Sequence, residues 1–268
     1  MSENCPTFWL NGEFTDQPMI SASNRGLLSG QGVFETLKVA NGKPQFVHRH
    51  LDRLMHSCHL LNWLALDADA IATGIRSLIQ VNAVPDIEYR LRVTCTQEEA
   101  SAISVLISMT RLSPWPATTS CTLVPWVRNE NSALTGIKTT SYFENILAMN
   151  WAQDRGFSEG LFANSRGNLS EGATSNIFVV IGGEVVTPSL ASGVLPGITR
   201  GVLLDHGLAR EDELSLDVLE DCSEIFLTSS TRGVHSVERC GERLMAASRP
   251  LTEKVSAEYA QTAAREMN

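Results

Sequence analysis

The sequence predicts an α+β protein in two domains, and three observations carry that prediction. Asn11-Gly12 and Asn41-Gly42 each stand between short apolar runs, the signal of tight antiparallel hairpins. Leu51, Leu54, Cys58 and Leu61 recur at helical spacing within His50 to Trp63, which gives one buried helix face. Ser113-Pro114-Trp115-Pro116 sets a tryptophan between two prolines after a strand run, which favours an extended connector. The expected organisation is a smaller N-terminal α/β domain over residues 1–112, a linker over 113–118 and a larger domain over 119–268.

A chain of 268 residues, 43% hydrophobic and 19% charged, has the composition of an ordinary globular protein and the length for two domains. Its net charge of −9 argues against nucleic acid or an anionic membrane surface as partner. No apolar run approaches the length of a bilayer span, and MSENCPTFWLNGEF has neither the basic start nor the apolar core of a leader, so a cytoplasmic protein is expected. The six cysteines, Cys5, Cys58, Cys95, Cys121, Cys222 and Cys240, are scattered without a CxxC pair and are read as reduced thiols. His56, Cys58 and His59 come close to a ligand cluster, but Cys58 falls on the apolar helix stripe, so no metal site is expected.

Taken in order, Phe8-Trp9-Leu10 opens a first hairpin, and Val33 to Val39 with Pro44 to Val47 makes a second. GLLSGQGVFE before that strand has Gly30 and Gly32 but Glu35 where a third glycine should stand, and a strand follows where a helix is needed. The dinucleotide-loop reading therefore fails. Asp67 is placed to cap a second helix to about Val81. Tyr89 to Thr96 and Ala102 to Thr110 read as strands, with Arg90 and Arg92 on one face because strand side chains alternate. Paired cations there could hold a carboxylate or form an exposed face. The second half begins with a strand, Cys121 to Val127, then a loop that delivers Lys138, then a helix from about Ser141 to Arg155 closed by Gly156. Strands at Glu159 to Ala163, Ile177 to Ile181 and Glu224 to Thr228 follow, with helices at Arg200 to Leu208 and Leu251 to Arg265.

Three stretches carry chemistry. In GIKTTSYFENILA, Lys138 sits among Gly, Ile, Thr and Ser with no adjacent carboxylate, and a little-hydrated amine forms Schiff bases with carbonyl compounds. In NLSEGATSNIF, Glu171 stands beside small residues just before a buried strand, where an unpaired carboxylate would be costly. In VLPGITR, a proline and glycine lead into a helix whose first amides and positive dipole suit an anion.

These stretches, in this order and at these separations, resemble the class IV (fold type IV) pyridoxal-phosphate enzymes, a family of branched-chain and D-amino-acid aminotransferases and 4-amino-4-deoxychorismate lyases. The resemblance runs from about Trp9 to the C-terminal helix. It implies a two-domain, D-amino-acid-aminotransferase-like fold with the cofactor in the interdomain cleft, and a homodimer whose sites include loops from the neighbouring subunit. It implies that Lys138 carries pyridoxal 5′-phosphate as a Schiff base and that Glu171 faces the pyridine nitrogen. Arg53 in HLDRL, the amides of Ile198 and Thr199, and the Thr199 hydroxyl would meet the phosphate. Ser229 and Ser230 would lie near phosphate and substrate carboxylate. Phe34 and Thr36 would line the substrate pocket, and Gln31 replaces the aspartate usual in that segment.

Within the family, WVRNENSALTGIKTTSYFENILA, FETLK and the short length look most like aminodeoxychorismate lyases, which release 4-aminobenzoate and pyruvate for folate biosynthesis. Phe143, where branched-chain enzymes carry a tyrosine, weakens the rival reading of a class IV transaminase passing an amino group to a 2-oxo acid. Arg90 and Arg92 are candidates for the substrate carboxylates, and Phe143 for the pocket wall.

Overall fold

The computed structural model describes residues 7–64, 66–98 and 102–266, and every count below refers to these. Cys5 lies outside them. The chain forms two compact units. One takes the chain up to Pro114 together with Ile137–Ser141, and the other takes Trp115–Gly136 and Tyr142–Ala264. The five residues around Lys138 therefore group with the N-terminal unit, whereas the sequence alone places all of 119–268 in the second domain.

In the first unit, β1 (Phe8–Leu10), β2 (Glu13–Thr15), β3 (Gly32–Ala40), β4 (Lys43–Pro44), β5 (Tyr89–Gln97) and β6 (Ile103–Arg111) form one antiparallel sheet, in the order β2-β1-β6-β5-β3-β4. The two Asn-Gly turns take positive φ at all four residues, 50° and 102° in the first and 52° and 69° in the second, as a two-residue turn matched to strand twist requires. A short helix α1 (Arg25–Ser29) precedes β3, and α2 (Val47–Leu60) and α3 (Ala68–Asn82) follow β4. Asp67 caps α3 by accepting the Ala70 amide at 2.9 Å. Alternation on β3 and β5 turns Val33, Leu37, Val39, Leu91 and Val93 into a core with Leu54, Ile75 and Leu78 of the helices. Cys58 is buried in that core while His56 and His59 are exposed.

In the second unit, β7 (Thr119–Arg128), β8 (Glu159–Asn164), β9 (Leu169–Gly172), β10 (Asn176–Ile181), β11 (Glu184–Pro188), β12 (Arg210–Asp212), β13 (Glu224–Ser229), β14 (Gly233–Cys240) and β15 (Arg243–Leu244) make a mixed sheet. Its order is β12-β11-β10-β13-β14-β7-β8-β9, with β15 on β14, and the β11/β12, β14/β7 and β7/β8 pairs are parallel. The helices are α4 (Phe143–Gln153), α5 (Ile198–Asp205), α6 (Val218–Asp221) and α7 (Pro250–Glu266). Leu161, Leu169, Ile177, Val179, Leu227 and Val237 form the core, and the rings of Phe178 and Phe226 stack at 4.8 Å. Buried Glu224 accepts the Leu251 and Thr252 amides at 3.2 and 2.8 Å, a carboxylate on the positive end of α7. Among the described residues no helix is long and apolar enough to cross a membrane.

Candidate active site

In the first unit, the segment carrying Lys138 is tied to β3. The Phe34 amide donates to the Lys138 carbonyl at 2.8 Å, the Thr140 amide donates to Gly32 O at 2.8 Å, and Val33 bridges Thr139. The hydroxyls of Thr140 and Ser141 both reach Gly30 O at 3.1 Å. This explains the glycines of GLLSGQGVFE. A Cβ on Gly32 would stand 2.8 Å from Thr140 Cγ2, and Gly30 has φ +67°. Their role is close approach to the lysine strand.

Lys138 is half-buried, with Nζ 4.3 Å from the centre of the Phe34 ring. The Arg92 guanidinium lies 3.6 Å from the same centre, so two cations share one aromatic ring. Across the β3–β5 ladder Thr94 faces Phe34, Thr36 faces Arg92 and Lys38 faces Arg90. Arg92 and Thr36 are half-buried, whereas Arg90 is exposed and sits farther along that face, opposite Lys38. The two arginines thus divide between the two sequence readings, with Arg92 beside the Phe34–Lys138 group and Arg90 on the exposed face.

Arg53 projects from α2 onto a carboxylate that the sequence reading gave no role. Its Nε and Nη2 donate to Glu35 Oε1 and Oε2 at 2.8 and 2.7 Å, and His50 Nδ1 lies 2.6 Å from Oε2. Burial pushes the Glu35 carboxyl up, but Arg53 and the two hydrogen-bonding partners outweigh it and hold the group at about 2. Burial lowers His50 in spite of the neighbouring carboxylate.

In the second unit, Glu171 is 8% exposed. Its Oε2 accepts the Leu195 amide at 2.8 Å and lies 3.5 Å from Asn176 Nδ2, which also donates to Leu195 O at 2.9 Å. Its Oε1 faces Arg128 Nε at 3.4 Å, an ion-pair contact without hydrogen-bond alignment. Arg128 in turn lies over Phe162 at 4.2 Å and donates to Glu144 at 2.6 Å. Phe143 is 71% exposed at the start of α4. The preceding residue, Tyr142, is the aromatic on the Glu171 side. Its hydroxyl donates to Ala173 O at 2.9 Å, and burial, with Glu171 and Glu159 adding to it, pushes its pKa up to about 12.

Gly197 is the N-cap of α5, so no side chain caps the first turn that Ile198 and Thr199 begin. The Thr199 hydroxyl is buried 3.3 Å from Tyr259 Oη, and by accepting from that phenol it can keep its own O–H to donate. Ser229 ends β13 and Ser230 begins the turn after it, and Ser229 Oγ accepts the Arg232 amide at 3.4 Å. One residue before Ser229, opposite Asn176 on the ladder, the buried Thr228 hydroxyl has no hydrogen-bond partner among the described residues.

The family model for amino-transferase class IV matches residues 32–240, from the start of β3 to the end of β14. This chain is a class IV aminotransferase-family protein. It is 25% identical over 241 residues to the aminodeoxychorismate lyase of Bacillus subtilis, covering 83% of this chain and 82% of that one. It is 26% identical over 293 residues to the branched-chain-amino-acid aminotransferase of Pseudomonas aeruginosa, covering 97% and 93%. Among solved structures, an aminotransferase from Brucella abortus bound to the cofactor PLP superposes with a TM-score of 0.87 at 25% identity, over 96% of this chain and 99% of that chain. The two sheets and their helices are those of fold type IV, and the family's cofactor is pyridoxal 5′-phosphate. The donor set of this class IV chain suits that group. A half-buried amine lies against an aromatic face, an ion-paired carboxylate is nearly buried, and an uncapped helix start and an unpartnered buried hydroxyl stand ready for an anion.

Proposed function

We propose that this class IV enzyme is a 4-amino-4-deoxychorismate lyase, converting its substrate to 4-aminobenzoate and pyruvate. The observation that carries the reading is the shared Phe34 ring, which places the fixed cation Arg92 beside the amine of Lys138. A dicarboxylate substrate needs such a donor next to the residue that moves its proton. The likeness to the Bacillus subtilis lyase over 82% of that chain supports it.

Pyridoxal 5′-phosphate, when bound, supplies an electron sink conjugated to the substrate's amine. Lys138 would be the residue that holds this group, and its free amine would take the proton from the amine-bearing ring carbon of the substrate. The bond from the neighbouring carbon to the enolpyruvyl oxygen would then break with the electron pair leaving on that oxygen, the ring would become aromatic, and the proton held by Lys138 would pass to the departing methylene to give pyruvate. Glu171, oriented by the Leu195 amide and facing Arg128, would be the carboxylate that meets the pyridine nitrogen. Arg92 holds a substrate carboxylate. Arg53, the amides of Ile198 and Thr199, and Ser229 and Ser230 are the proposed phosphate and carboxylate donors. The exposed stripe Phe143, Ile146 and Leu147 on α4 supports a homodimer, which we propose works in the cytoplasm.

The likeness to the Pseudomonas aeruginosa aminotransferase over 97% of this chain favours the second reading, transamination to a 2-oxo acid. Incubation with aminodeoxychorismate and no 2-oxo acid separates them. Sustained release of pyruvate and 4-aminobenzoate supports the lyase. Inactivity there, with turnover of an amino acid and 2-oxo acid pair, makes the chain a transaminase.

A further inference from the structure

Glu35 breaks the pattern of its own strand. Val33, Leu37 and Val39 face the core under α2, and Glu35 shares their phase at 1% exposure. A lone carboxylate there would be costly, and the chain answers with two side chains one helical turn apart on α2. Arg53 engages both carboxylate oxygens, at 2.8 and 2.7 Å, and His50 Nδ1 reaches Oε2 at 2.6 Å. A carboxylate meeting Nε and Nη2 together fixes the plane of the guanidinium as well as its distance. With Glu35 ionised, Nδ1 of His50 carries the proton that is shared.

We propose that Glu35 is a positioning residue for Arg53, and His50 for Glu35: the bidentate pair sets the one orientation in which Arg53 meets the cofactor's 5′-phosphate. This rests on Arg53 as a phosphate ligand. A free arginine side chain carries about 2 kcal/mol of rotamer entropy, and a partner that orders it beforehand removes that cost from binding. Glu35→Gln leaves one acceptor where two donors converge, so an N–H must face an N–H and the guanidinium swings away. Simple charge runs the other way, since removing an anion beside Arg53 strengthens its pull on phosphate. The sign of the effect therefore separates positioning from electrostatics.

The test compares apo protein titrated with pyridoxal 5′-phosphate and with pyridoxal, following cofactor absorbance, with a thermal melt on each variant. Positioning predicts that Glu35→Gln raises Kd for the phosphorylated ligand about tenfold or more and leaves pyridoxal unchanged. Arg53→Lys should show the same selective loss, and the double variant no further loss. Unchanged or tighter phosphate-ligand binding in Glu35→Gln, with Arg53→Lys impaired, overturns the inference and leaves the Arg53 reading standing. If Arg53→Lys discriminates between the ligands as the parent does, the phosphate reading itself falls and the inference with it. Should Glu35→Gln fail to fold, His50→Phe, which removes the His50 Nδ1 donor to Glu35, decides. A selective loss for the phosphorylated ligand supports positioning, and an equal change for both ligands overturns it.

Discussion

Replacing Glu171 by glutamine removes one charge and keeps the shape. In the parent, Oε2 accepts the Leu195 amide at 2.8 Å and Oε1 faces Arg128 Nε at 3.4 Å. The amide oxygen can keep the first contact, which turns the new NH2 toward Arg128, donor against donor. With both side chains largely buried, that mismatch costs about 1–3 kcal/mol, well within the roughly 5–15 kcal/mol of a folded protein, so the variant folds with a melting point lowered by several degrees. The chemical effect is larger. A carboxylate at hydrogen-bonding distance from a ring nitrogen, at an effective permittivity near 20, is worth roughly 5 kcal/mol, or between three and four pKa units. Glutamine forfeits this, and the ring nitrogen loses its proton at neutral pH. Turnover should fall about 100-fold or more, while cofactor absorbance on titration still saturates. Turnover within about threefold of the parent would show that Glu171 is structural and that the proposed control of the ring nitrogen is wrong.

Acid titration should expose the Glu35 cluster. Its folded pKa, about 2, lies below the ordinary 4.5, so its contribution, on the order of 3 kcal/mol, is present above pH 4.5 and lost as pH falls toward 2. His50, lowered by burial, acts in the same direction below its ordinary 6.5, because the unfolded chain takes the proton first; Glu35→Gln should flatten the lower part of the stability curve measured by denaturant melts. Burial raises the thiols of Cys58, to about 11, and of Cys95, whereas a hydrogen bond from Cys121 lowers Cys240, so mass-spectrometric alkylation of native protein should label Cys240 before the other described cysteines. Gly32→Ala would press a methyl onto Thr140, 2.8 Å from Cγ2, and should reduce the cofactor fixed on Lys138 more than it lowers the melting point; equal occupancy would show that the lysine strand tolerates the shift.

Much of this was legible in the residues. Asn-Gly pairs name their turns because two consecutive positive φ values suit few other residues, and the apolar spacing of α2 located its buried face. The three chemical stretches carry the proposed site residues Lys138, Glu171 and Ile198–Thr199. Other parts were obscured for identifiable reasons. Glu35 ends the dinucleotide-loop pattern, and its phase with Val33, Leu37 and Val39 is the sequence signal of a buried carboxylate in need of cations. Tyr142 has no sequence signal of its own, and only the fold shows its hydroxyl on Ala173 O. Arg128 ends a strand 43 positions before Glu171, and only the fold brings such a pair together. The contact between the Thr199 hydroxyl and Tyr259 of α7, a partner 60 residues on, is likewise made by the fold alone. Grouping of Ile137–Ser141 with the N-terminal unit rests on backbone hydrogen bonds to β3 and on the Thr140 and Ser141 hydroxyls reaching Gly30 O, partners more than 100 residues away in the chain.

The central claim is that Lys138 is the residue that holds the cofactor, and one measurement reaches it directly. Protein reconstituted with pyridoxal 5′-phosphate is reduced with borohydride, digested and mapped by mass spectrometry. The account predicts a visible absorbance band that reduction abolishes, and a phosphopyridoxyl group on the peptide containing Lys138, absent in Lys138→Ala. Labelling at a different lysine, or none after reconstitution, would contradict it.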